Sequence, residues 1–169
     1  MDVPANQVDG QLPQALQKLA AVLAVIGGIL TCLAACLVTV SVVGRWLFNS
    51  PMPADYELVE IAVGVAVFAF LGYTQARSGH IMVDTFTASL PARLNARIDG
   101  VWDLLLGCFL AFFAWGLFSG GLEARSFGMT LVQLPWPVWP VYMACALLAG
   151  LASVIAFVLA AVKIAGRRP

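Results

Sequence analysis

Apolar and polar positions alternate along the chain in long blocks. No charged residue occurs from 19 to 44, from 61 to 76, from 104 to 122 or from 126 to 162. A helix needs about 20 residues to cross a bilayer, so the second block must take in the acidic residues that precede it. The pattern predicts an all-α integral membrane protein with four crossings, at about 19–47, 56–76, 101–122 and 138–162.

Two further segments have patterns of their own. After Gly79, apolar residues recur every fourth position as far as Trp102, and Arg93 and Arg97 share another face. This spacing predicts an amphipathic surface helix after the second crossing, which either bends at Gly100 or runs straight into the third crossing. Prolines and tryptophans interrupt the last uncharged block, and they predict a non-helical or re-entrant interfacial Pro/Trp segment at 127–137.

Composition and charge indicate one membrane domain over 1–169, in which 1–17 is a flexible polar tail. Of the 169 residues, 62% are hydrophobic and 11% charged, and the net charge of zero gives no support to a nucleic-acid partner. Positive charges favour the cytoplasmic side of a membrane. Seven of the nine fall on one side, which predicts cytoplasmic termini: Lys18, Arg77, Arg93, Arg97, Lys163, Arg167 and Arg168.

Candidate chemistry inside the crossings is sparse. No Asp, Glu, Lys, Arg or His lies in the middle of a crossing, whereas ion-coupled transport needs polar or ionisable groups near the midplane. The single His does not suit paired haem ligation, and the four cysteines all lie within apolar segments, where they suit packing. We therefore expect no catalytic, metal or cofactor site, and a chain that packs against another membrane protein.

Small residues and tryptophans are the first candidates for partner contacts. Gly27, Thr31 and Ala35 are spaced by four and share a face of the first helix. Such stripes let helix backbones approach closely, either within the chain's own bundle or against a partner. Trp136 and Trp139 belong to the Pro/Trp region, where aromatic rings suit the membrane interface.

Charged residues at the ends of the second helix are further candidates. Asp55 is expected to cap that helix, and Glu57 either pairs with Arg45 or a partner group or sits as an acid in the helix dipole. Glu60 lies one turn deeper, so a specific partner is expected for it.

The other end of the second helix carries basic and polar residues. Arg77 is expected to contact lipid headgroups together with Arg93 and Arg97, and contact with a partner is the alternative. His80 and Asp84 lie four apart, and we expect them to bond each other or to fix the surface helix that follows.

Several of these motifs, taken together, resemble a known family. The motifs are Arg45, the Pro51/Pro53 turn, Glu57-Leu58, Gly72, Arg77 with Gly79-His80-Ile81 and Val83-Asp84, and the segment from Leu134 to Tyr142. Together they are similar to the small membrane subunit of tripartite ATP-independent periplasmic (TRAP) transporters, the DctQ type. The resemblance covers roughly Arg45 to Phe157.

This resemblance implies a non-catalytic subunit in the bacterial inner membrane. Such a subunit forms a stable complex with a large membrane subunit, which binds substrate and sodium, and braces it. A periplasmic substrate-binding protein delivers the substrate, often an organic acid, and its contact is transient. The alternative is a haem-free membrane anchor subunit of a respiratory or other membrane enzyme complex.

Overall fold

The architecture consists of four long helices. The structure, a computed structural model, describes residues 12–48, 54–77 and 92–165. Within them lie α1 (Gln14–Phe48), α2 (Asp55–Ala76), α3 (Ala92–Ser126) and α4 (Trp139–Ile164), and these residues form no β-strand. All four helices are long and apolar enough to span a membrane, so the prediction of an all-α protein with four membrane-length helices is confirmed.

The helices pack in the spatial order α1, α2, α4, α3. In this order α4 is an inner helix, and more than half of its most apolar stretch is buried, against about a tenth for α1. We call the end of the molecule where the chain passes from α1 to α2 and from α3 to α4 the loop end. The opposite end is called the terminal end. An open layer of helices results, and its two outer members have broad exposed apolar faces.

Glycines allow α3 and α4 to approach closely. A Cβ added to Gly100 would lie 2.7 Å from Cγ1 of Ile164, and one added to Gly107 would lie 3.1 Å from the ring of Phe157. The Ser153 hydroxyl also donates a hydrogen bond of 2.8 Å to the Gly107 carbonyl. The close contact between these helices therefore depends on glycine, which has no side chain, at positions 100 and 107.

Helix α3 extends over part of the predicted surface helix. It begins at Ala92 and continues through Gly100 to Ser126 without a break, so the straight run is the arrangement observed for 92–100. The earlier part of that prediction, at 79–91, lies outside the described residues. Of the predicted tail at 1–17, residues 1–11 also lie outside them, whereas α1 already begins at Gln14.

The face that α1 turns toward α2 differs from the predicted stripe. Its buried residues are spaced by seven: Ala20, Gly27, Ala34 and Ser41. Only Gly27 of the stripe is buried, while Thr31 and Ala35 are exposed. Helices that cross at a shallow angle repeat their contacts every 3.5 residues on average, so a spacing of four drifts off the contact face.

Candidate partner-binding surfaces

Residues 127–138, here called the Pro/Trp loop, fold into a compact turn between α3 and α4. Gly128 has φ +61°, and Thr130 and Pro137 form an antiparallel bridge. The Leu131 N–H donates to the Trp136 carbonyl at 2.9 Å. These contacts show a defined, non-helical structure in the predicted Pro/Trp segment, and its position at a membrane interface remains a prediction.

Glu57 ties this loop to the start of α2. Only 7% of the residue is exposed, and its carboxylate accepts three backbone hydrogen bonds. The donors are the N–H groups of Val132 at 2.7 Å, Gln133 at 2.9 Å and Leu134 at 3.3 Å. Hydrogen bonds to an ionised acceptor are roughly twice as strong as neutral ones, so these bonds hold the loop firmly against α2. We call the three bonds the Glu57 clamp.

A fourth hydrogen bond joins the same two segments. The Gln133 side-chain oxygen accepts from the Ala54 N–H at 2.5 Å. Ala54 occupies the N-cap position of α2 with φ 61°, and no side chain caps the helix there, so the expectation that Asp55 is the cap was wrong. The Ala54 N–H is instead satisfied by the loop, which is a contact between distant parts of the chain.

The remaining charged residues at the loop end have other partners. Arg45 lies 4.0 Å from Asp55, which also bonds the Ser41 hydroxyl, and this contact links α1 to α2. The predicted pairing of Glu57 with Arg45 is therefore not what the structure shows. The Arg125 guanidinium stacks 5.2 Å from the ring centroid of Trp139, a cation–π contact at the start of α4.

A buried polar cluster at the terminal end was not predicted from the sequence. Asp103 accepts a hydrogen bond of 3.1 Å from the Gln75 side chain, and its other oxygen lies 2.7 Å from the Lys163 ammonium. Gln75 is 1% exposed and Asp103 7%. The cluster joins α2, α3 and α4, and its only sequence signal was a lone acid just inside an apolar run.

The other predicted residues of the terminal end are only partly described. The Arg77 guanidinium lies 5.7 Å from the ring centroid of Tyr73. His80 and Asp84 lie outside the described residues, so their predicted bond is untested. Contact of Arg77 with lipid headgroups also stays a prediction.

Large apolar side chains cover the outer faces of the layer. On α3, Phe109, Phe112 and Trp115 are each 60% exposed or more. Trp136 of the Pro/Trp loop is 56% exposed. Lipid or another membrane protein must cover such surfaces, because water does not tolerate apolar patches of this size.

The comparison with known proteins decides the family. The model of the family described as tripartite ATP-independent periplasmic transporters, DctQ component, matches residues 34–166. The chain belongs to this family. The resemblance drawn from the motifs is thereby confirmed, and the match takes in Glu57, the Pro/Trp loop and the Gln75–Asp103–Lys163 cluster. No curated protein and no solved structure matched the chain.

Membership sets the general role of the DctQ component. It is the small membrane subunit of a TRAP transporter, a transport component and not an enzyme, and it works with a large membrane subunit and a binding protein. Together with the four membrane-length helices, this makes the chain a multi-pass protein of the inner membrane.

Proposed function

We propose that this chain is the non-catalytic small permease subunit that braces the large membrane subunit of its transporter. In this proposal the large subunit carries out sodium-coupled uptake of an organic acid, which a periplasmic binding protein delivers. The observation that carries the proposal is the open layer itself, whose ends are tied by polar contacts and whose outer faces are apolar and exposed.

The polar groups inside the layer support bracing rather than solute movement. Among the described residues, those with buried polar side chains are Ser41, Glu57, Gln75, Asp103 and Ser153. The first four lie toward the two ends, where they tie helices or the loop together, and Ser153 bonds the α3 backbone. A transport pathway requires ionisable or polar groups that face a cavity near the midplane, and these groups are already used in fixed contacts.

The charges suggest how the subunit is placed. With both termini in the cytoplasm, the Pro/Trp loop faces the periplasm and the basic residues Arg77, Arg93 and Arg97 face the anionic inner leaflet. The large subunit is then a stable partner along the membrane-spanning faces, and the binding protein is a transient partner on the periplasmic side.

Co-purification in mild detergent tests the proposal. The tagged chain should retain a large multi-helix membrane protein in stoichiometric amount, and liposomes that contain this chain alone should show no solute flux. Retention of a soluble redox subunit in place of the membrane protein would support the alternative, a haem-free anchor of an enzyme complex. Flux through the isolated chain would reject both.

A further inference from the structure

The exposed residues of α2 form a single stripe. All residues of this helix are described, and its exposed residues are Tyr56, Glu60, Val63, Val67 and Phe70. Their spacings are four, three, four and three. This alternation is the pattern with which one helix packs along another at a shallow angle, and we call these five residues the α2 seam.

Glu60 lies within the part of α2 that must cross the membrane. The helix has 22 residues, which at about 1.5 Å each give roughly 33 Å, close to the ~30 Å hydrocarbon core. Glu60 is five residues from the start at Asp55, or roughly 7 Å along the axis. An ionised carboxylate on a lipid-facing surface at this depth is unfavourable, and such groups in membranes normally pair with another charge or line an aqueous cavity.

The cations near this end of the layer already have contacts. Arg45 lies beside Asp55, and Arg125 stacks on Trp139. Glu57, on the same helix, differs from Glu60 because the fold buries it and its carboxylate accepts hydrogen bonds from backbone N–H groups. Glu60 lies on the exposed surface of α2. The neighbouring side chains of the seam are mostly apolar, so they suit packing against another helix better than contact with water.

We propose that the α2 seam docks a transmembrane helix of the large subunit that carries an arginine or lysine at the level of Glu60. This inference rests on the proposed function and assigns one surface of the chain to that partner. A second copy of the chain fits less well, because the seam contains no cation and a symmetric pairing of two seams would bring two Glu60 carboxylates together. Lipid fits less well because it leaves the charge unpaired.

The test compares glutamates with different surroundings in the complex of the full chain with its large subunit. Glu60→Leu should lower recovery of the large subunit about tenfold or more, and Glu60→Gln should lower it less, because the amide still accepts a hydrogen bond. Glu123 is the matched control, since it is an exposed glutamate in the last turns of α3 at the same end. Glu123→Leu and Glu123→Gln should leave recovery unchanged.

Photo-crosslinking gives a second readout that keeps Glu60 intact. A photoreactive residue at position 63 or 67 should crosslink the chain to the large subunit within membranes. The seam assignment is overturned if Glu60→Leu retains the large subunit as well as the wild-type chain does and both positions crosslink only to lipid or to a second copy. The proposed function stands in that case, because the wild-type chain still retains the large subunit. If the wild-type chain retains no large subunit, the proposed function fails first.

Discussion

Replacement of Glu57 by leucine should release the Pro/Trp loop from α2. The substitution removes the acceptor of three backbone N–H groups and leaves a side chain of similar size in a site that is 7% exposed. A hydrogen bond to a charged group contributes about 1.5–3 kcal/mol, but the three bonds are not additive and the freed N–H groups regain some water. We therefore expect the loop to lose roughly 3–5 kcal/mol of local stability.

The isosteric variant predicts a graded effect. In Glu57→Gln the amide oxygen can take the place of Oε1, which accepts from Val132 and Gln133, while the amide nitrogen can no longer accept from Leu134. The loss should be smaller, about 1–2 kcal/mol, because the most favourable part of the clamp survives without its charge.

Hydrogen exchange measures the loss directly. In detergent or nanodiscs, exchange of the amides at 132–134 should accelerate roughly 100-fold or more in Glu57→Leu, because each 1.4 kcal/mol is a factor of ten. Amides in the middle of α4 should be unaffected, and Glu123→Leu should behave as wild type. Unchanged exchange at 132–134 in Glu57→Leu would refute the clamp, even if the global melting temperature fell.

Two further changes test the packing of the layer. Lys163→Met should destabilise the protein by roughly 3–5 kcal/mol in a detergent unfolding titration, because it leaves the Asp103 carboxylate buried without its cation. The double variant Lys163→Met with Asp103→Leu should recover much of this stability, because it removes the buried charge as well. The exposed Lys18→Met serves as control and should change stability by less than about 0.5 kcal/mol. Gly100→Ala should lower the melting temperature, because the added Cβ would lie 2.7 Å from Ile164. Gly116→Ala is the control, since nothing lies within 4 Å of its added Cβ, and it should be neutral or stabilising by up to about 1 kcal/mol. Equal melting temperatures for the two alanine variants would contradict the close contact.

The helices could be predicted from the sequence because they depend on local pattern. Uncharged blocks of membrane length allow few other structures in a bilayer, where each backbone group must be bonded within its own segment. Glu57 could likewise be singled out, since an acid at the start of an apolar helix is conspicuous. Its partners could not, because they are backbone N–H groups 75 to 77 residues away and carry no side-chain signal.

The contacts between helices were harder to predict, because sequence spacing does not fix which faces meet. Of the stripe Gly27, Thr31 and Ala35, only Gly27 is buried against α2, because the buried residues of α1 follow a repeat of seven. Contact of the stripe with a partner stays a prediction. Asp103 and Lys163 are 60 residues apart, and their pairing depends on the glycine-mediated approach of α3 to α4. Such contacts are properties of the register between helices, and a single sequence does not state that register.

The distribution of polar contacts also bears on where motion can occur in the complex. An alternating-access step requires one group of helices to shift against another. A shift of α2 against α3 would break the Gln75–Asp103 bond, and a shift of α3 against α4 would break the Asp103–Lys163 pair and the Ser153 bond. The bonds from the loop to Glu57 also tie α2 to the segment that leads into α4. Each contact is buried or partly buried, so each would leave an unsatisfied group when broken. The layer is therefore suited to move as one body, and the relative motion that transport requires is expected in the partner that it holds.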